Sequence, residues 1–251
     1  MTAIQPPETR FALLIRMVFG TYCWAICTVV ISATLVALLL LPGVNRRRHL
    51  TGVVARLLLK LMGMGLKIYG AEHLPLGQSI VVANHASYID AIIIKAVLPE
   101  RFVYVVKREM ESFPLAGLLL RRLGTEFVER FNRHKGGRDA KRVLQTAANG
   151  QSLLFFPEGT FTEVIGILKF HNGAFVIATQ ANCPVVPCVI RGSRHILPSP
   201  YFFPRPGTLE VELLAPLYPA IDLPPARAAS QLRDMARALI VARTGEPDLM
   251  L

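Results

Sequence analysis

Apolar and polar positions fall into three successive patterns along this chain. The first is an unbroken apolar run. From Met17 to Leu41 there is no charged residue, and Val, Ile, Leu and Ala dominate. As a helix such a run would reach roughly 37 Å, against a hydrocarbon core of about 30 Å, so it is long enough to cross a bilayer with some tilt. It ends in Pro42-Gly43 and then Arg46-Arg47-Arg48 rather than in a small-residue cleavage site. The basic cluster would keep the downstream domain on the cytoplasmic side of the cell inner membrane. The other arrangements open to this run are a buried hairpin or two interfacial helices broken near Gly20. The second pattern, Thr51–Leu66, has helical spacing. Arg56, Lys60 and Lys67 share one face, and Val53, Val54, Leu57, Leu58, Leu61 and Met62 fill the rest. That describes a basic amphipathic helix suited to anionic membrane lipid, or a core helix with snorkelling cationic tips.

The third pattern begins at residue 70, where short apolar blocks alternate with amphipathic ones. The expected strands are Ile80–Ala83, Phe102–Val106, Phe127–Val128, Leu153–Phe156, Val185–Ile190 and an outer strand at Leu209–Leu214. The expected helices are Ala91–Val97, Leu115–Leu123, Gly137–Ala148, Gly173–Gln180 and Arg227–Ala242. Strands alternating with helices predict an α/β fold: a mainly parallel mixed sheet flanked by helices, with an N-terminal membrane-anchoring helical segment. Runs such as Leu153-Leu154-Phe155-Phe156 suit strands covered on both faces. Residues 1–69 would be the anchor and amphipathic helices, and residues 70–251 the α/β domain. Pro198–Pro206 reads as a Pro-rich surface loop.

Composition narrows the function. The chain has 251 residues, 28 Lys plus Arg against 17 Asp plus Glu, a net charge of +11, and 52% hydrophobic residues. Such apolar content excludes disorder, and recurring charges after Arg46 exclude a polytopic channel. The basic balance implies polyanionic partners. The apolar excess favours lipid over nucleic acid, which would leave Met17–Leu41 unexplained. Cys23, Cys27, Cys183 and Cys188 are too few for a disulfide scaffold and lack zinc-ligand spacing.

Ligands in open α/β sheets gather beyond the carboxyl ends of the strands. After the first expected strand comes Asn84-His85-Ala86-Ser87-Tyr88-Ile89-Asp90. Residues five apart lie about 140° apart on a helix, so His85 and Asp90 meet only across a turn. Asp90 would then orient the imidazole as the acid of a triad does. On spacing alone a surface His and a helix-capping Asp is the simpler reading. After Leu153–Phe156 comes Pro157-Glu158-Gly159-Thr160, a tight turn that would aim Glu158 and Thr160 into one crevice, or a plain turn with an exposed Glu. Gly124–Arg130 puts Arg130 past a short strand, where its planar fork suits phosphate. Residues 101–142 hold eleven basic and five acidic residues, a local +6 that favours anionic substrates.

Taken together these blocks resemble the glycerolipid acyltransferase family, that of the 1-acylglycerol-3-phosphate acyltransferases, over roughly residues 60–215. The four family blocks are matched by Asn84-His85-x4-Asp90, by Gly124–Arg130, by Phe156-Pro157-Glu158-Gly159-Thr160 and by Val186-Pro187-Cys188-Val189-Ile190. The resemblance implies transfer of an acyl group from acyl-CoA or acyl-acyl carrier protein, as co-substrate, to a lysophospholipid hydroxyl, with no cofactor and no metal. His85 would be the base, Asp90 its orienter, and Arg130, Glu158, Gly159 and Thr160 the acceptor site. Backbone N–H groups near Gly159 or Lys107 would stabilise the oxyanion. The chain departs from the family after Gly159-Thr160: many relatives continue Arg-Ser, and here the sequence reads Phe161-Thr162. Lys169 is a candidate for the missing cation. Another acceptor, such as a lyso-ornithine lipid, and a catalytically silent lipid-binding module are the competing readings.

Overall fold

The computed structural model describes residues 10–129 and 133–250. Its helices are α1 (Arg10–Leu40), α2 (Val44–Leu61), α3 (Asp90–Val97), α4 (Pro114–Arg122), α5 (Arg133–Ala148), α6 (Gly173–Gln180), α7 (Ser193–Ile196) and α8 (Pro225–Thr244). Its strands are β1 (Gly65–Tyr69), β2 (Ile80–Ala83), β3 (Phe102–Lys107), β4 (Glu126–Val128), β5 (Ser152–Phe155), β6 (Val185–Arg191) and β7 (Thr208–Leu213). They form one mixed sheet in the order β1-β7-β6-β2-β5-β3-β4. Neighbours from β6 to β4 pair in parallel; β7 pairs antiparallel with β6 and parallel with β1.

Successive strand residues point to opposite faces. Val81 and Ala83 of β2 therefore pack into the layer with α2 and α3, while Ile80 and Val82 pack into the layer with α5, α6 and α8. Both faces are buried, so β2 carries four consecutive buried apolar residues with no polar alternation. The mainly parallel sheet flanked by helices matches the sequence expectation.

Two departures from that expectation lie around β1. The helix expected over Thr51–Leu66 begins at Val44 and stops at Leu61. Gly63 takes φ +68°, a left-handed turn that glycine adopts without a Cβ clash. The chain then enters β1, which lies outside β7, so Leu209–Leu214 is not the outer strand. Lys67 consequently sits on β1, 3.4 Å from Glu210, rather than on the helix face with Lys60. Arg56 donates to the Ala96 carbonyl in the last turn of α3 at 3.0 Å.

The stretch Leu13–Leu40 of α1 is long and apolar enough to cross a membrane by length and composition. One stripe of it faces the protein: Cys23 and Leu38 are buried, and the Tyr22 hydroxyl donates to the Leu61 carbonyl at 2.8 Å. Leu14, Val18, Val29 and Val36 are exposed.

Candidate active site

The carboxyl ends of β2, β3 and β5 open on one side of the sheet, and the chemistry lies there. Asn84, just past β2, is bound on both sides by one backbone unit of β6. Its amide donates to the Ile190 carbonyl at 3.0 Å and its oxygen accepts the Ile190 N–H at 2.8 Å. This stitch fixes where the strand ends and the turn begins.

The next six residues fold around one carboxylate. Asp90 is the first residue of α3 and is fully buried. Its Oδ2 accepts the backbone N–H of Ala86 at 2.7 Å and of Ser87 at 2.8 Å, and lies 2.9 Å from Nδ1 of His85. The turn that brings a five-residue spacing together is thus built by the acid itself. With Nδ1–H donated to Asp90, Nε2 carries the lone pair. The ring is boxed by aromatics: Phe156 stacks on it at 4.3 Å, and Phe161 meets it edge-on at 4.6 Å.

Glu158 faces inward. Its Oε1 accepts the His85 backbone N–H at 2.7 Å and its Oε2 accepts the Leu168 N–H at 2.8 Å. Burial pushes its carboxyl up to about 7, against the two donors, which favour the charged form. It brackets the His85 turn to the 159–170 loop. Gly159 takes φ +77° and uses its N–H within the turn, donating to Phe156 O at 3.0 Å. Thr160 is exposed at the rim.

Lys107, Glu158, Gly159 and Thr160 line a cavity of about 630 Å³, together with Glu109 and Glu129. Among the described residues Lys107 is the one Lys or Arg on this wall. Lys169 is exposed and stands outside it. Arg130 lies outside the described residues. On the other side of His85, two apolar cavities of about 200 and 210 Å³ lie beneath α1 and share Ile31, Leu58 and Ile92 in their walls. Tyr88 and Ile89 line the nearer one. Among the described residues no cluster of three His, Cys, Asp or Glu side chains is placed to hold a metal ion.

The loop after Gly159 is held from far along the chain. Arg237 of α8 donates to the Ile167 and Leu168 carbonyls at 3.0 and 3.1 Å and pairs with Asp248. Arg194 pairs with Glu246 and donates to the Thr162 carbonyl at 3.1 Å. Ile167 N–H donates to Pro247 O at 2.9 Å. Neither arginine, nor the aromatic box of Phe156 and Phe161, is apparent from motif spacing. Phe161 stood out only as a missing cation.

A turn-bound His–Asp pair at the end of a parallel strand supplies a general base with its orienting acid. The acyltransferase family profile matches residues 65–191, and the chain belongs to that family. Among its relatives, the 1-acyl-sn-glycerol-3-phosphate acyltransferase of Limnanthes douglasii is 30% identical over 222 residues, 86% of this chain and 79% of that one. That of Saccharomyces cerevisiae is 28% identical over 160 residues, and the match spans 53% of its length. The crystal structure of the 1-acyl-sn-glycerophosphate acyltransferase PlsC from Thermotoga maritima superposes with a TM-score of 0.70 at 20% identity, covering 90% of this chain and 97% of that one.

Proposed function

We propose that this protein transfers a fatty acyl group from an acyl thioester, carried by CoA or acyl carrier protein, to the free hydroxyl of 1-acyl-sn-glycerol-3-phosphate, giving phosphatidate. The observation that carries the reading is the 2.9 Å contact between His85 Nδ1 and the buried Asp90 carboxylate. Nε2 takes the proton as the acceptor oxygen attacks the thioester carbonyl. The tetrahedral intermediate collapses by expelling the thiolate, which recovers that proton from the imidazolium. Asp90 stabilises the imidazolium in between. No acyl-enzyme forms. The apolar cavities beneath α1 suit acyl chains, and Lys107, with Arg130 following Glu129 in sequence, offers the cation for the acceptor phosphate.

The acceptor is a membrane lipid, which gives α1 its role. α1 meets the folded domain from Gly20 to Leu38, so it is read as lying in the near leaflet with its exposed stripe in lipid. The Arg46-Arg47-Arg48 cluster after α1 favours the cytoplasmic face for the domain. Protease added outside sealed inverted vesicles should cut the domain, and protection there would refute that orientation.

Phe161, which packs against His85 at the position where the family resemblance leads one to expect an Arg, favours a second reading in which the acceptor lacks a phosphate monoester. The purified protein, given acyl-CoA or acyl-acyl carrier protein and a panel of lysolipids, decides. Turnover highest with lysophosphatidate supports the first reading. Turnover confined to a lysolipid without a phosphate monoester supports the second, and no transfer to any acceptor from either donor refutes both.

A further inference from the structure

The loop 198–206 carries three consecutive aromatics, Tyr201-Phe202-Phe203, that the proposed chemistry does not use. Phe202 is 72% exposed, and Tyr201 and Phe203 are also on the surface. The loop is fastened to α1. Trp24 Nε1 donates to the Phe202 carbonyl at 2.8 Å. Phe203 packs where Gly20 leaves room: a Cβ on Gly20 would come within 2.4 Å of its ring. Tyr201 stands between two guanidinium groups, Arg16 at 4.4 Å and Arg205 at 6.0 Å from its ring centroid. Exposed rings flanked by cations, beside an apolar helix, have the composition of a bilayer interface: rings at the headgroup level and cations toward phosphate.

The loop also borders the substrate path. Pro204 and Leu197 line the nearer apolar cavity with Trp24, Tyr88 and Ile89. Tyr88 is 63% exposed and meets Phe161 edge-on at 4.7 Å, and Phe161 meets His85 at 4.6 Å. A row of rings therefore links the surface to the base on the side that holds this loop.

We infer that loop 198–206 is a second membrane-contact element, continuous with α1. Tyr201 and Phe202 enter the interface of an anionic phospholipid bilayer, and Arg16 and Arg205 face its phosphates. The rim of the apolar cavity then opens into the leaflet, so a lysolipid reaches His85 without passing through water. This inference rests on the reading that α1 lies in lipid, and the test separates the two.

Trp24 is the one tryptophan of the chain. Its emission in vesicles of phosphatidylcholine and phosphatidylglycerol, with and without brominated phosphatidylcholine, reports whether α1 touches lipid. The double variants W24F/F202W and W24F/L76W move the probe. Leu76, 97% exposed, lies ahead of β2, at the opposite end of the strands from His85. Expected are quenching at 24 and at 202, each at least about threefold stronger than at 76. Quenching at 24 with none at 202 overturns the inference and leaves the α1 reading standing. No quenching at either position overturns both, and equal quenching at 76 and 202 overturns a local contact. Hydroxyl-radical footprinting of the unaltered chain in the same vesicles needs no substitution. Tyr201 and Phe202 should be shielded relative to Tyr218, and oxidation equal to that of Tyr218 overturns the inference.

Discussion

The two halves of the candidate site are held in opposite ways. The His85–Asp90 contact is made locally: one carboxylate gathers three donors from residues three to five positions earlier, and Glu158, Ile190 and Leu197 fasten that turn to the rest of the domain. The loop after Gly159 has little of its own. Its carbonyls are held by Arg194 and Arg237, 32 and 69 residues further on, and by the 246–249 segment. Glu158 joins the halves through backbone N–H groups alone. The proposed base is thus oriented by local geometry, whereas the proposed substrate wall is placed by tertiary contacts from Arg194, Arg237 and the 246–249 segment.

The largest effect is expected inside the turn. His85→Ala should lower acyl transfer at least about a thousandfold, since general-base catalysis supplies that order of rate. Stability should move little, because the N–H donated to Glu158 is backbone and survives. Steady-state rates and thermal midpoint of the purified variant check both halves of the claim.

Asp90→Asn should cost roughly a hundredfold or more in kcat. The amide oxygen still accepts the three N–H groups, so the turn persists, but the imidazolium loses its countercharge. An unchanged kcat with a large stability loss would reduce Asp90 to a structural cap.

Glu158→Gln tests the bridge between the halves. One of its two backbone donors would face an NH2 group, at a cost of about 1–3 kcal/mol in denaturant unfolding. The substitution should also remove a pH dependence. The folded carboxyl is pushed up to about 7 by burial, above its ordinary 4.5, so the native state binds more protons between those values. Stability is fully present below about 4.5 and falls as pH rises through about 7. Unfolding studied from about pH 4 to about pH 8 should show that slope in the parent and not in the variant.

The smallest effect belongs to the remote clamp. Arg237→Ala and Asp248→Asn should speed amide exchange at 161–168 while leaving 84–90 protected, and should raise the acceptor KM several-fold with kcat within about threefold. Equal loosening of both segments would show that the halves are one unit.

The same contrast explains what the sequence disclosed. The strand–helix alternation was legible because parallel strands buried on both faces are continuous apolar runs. The His85–Asp90 pair was legible through the family resemblance and not through spacing alone, because the turn that joins them is built on backbone N–H groups of residues 86 and 87. β1 was not, because Met62-Gly63-Met64 continues the helical apolar pattern and only the φ of Gly63 breaks it. The inward turn of Glu158 was hidden, since its partners are backbone groups of residues 85 and 168. The apolar character of α1 was plain, whereas its seat along the domain depends on Phe202 and Phe203, 178 residues beyond Trp24 in the case of Phe202.

Catalysis as proposed turns on one proton: Asp90 holds it on Nδ1 of His85 and so leaves Nε2 as the base. Nitrogen-15 NMR of histidine-labelled protein, above the imidazole titration and assigned with the His85→Ala variant, reads this directly. Expected are a protonated Nδ1, an unprotonated Nε2 and a downfield Nδ1 proton that shifts upfield in Asp90→Asn. A ring protonated on Nε2 in the parent protein would contradict the mechanism.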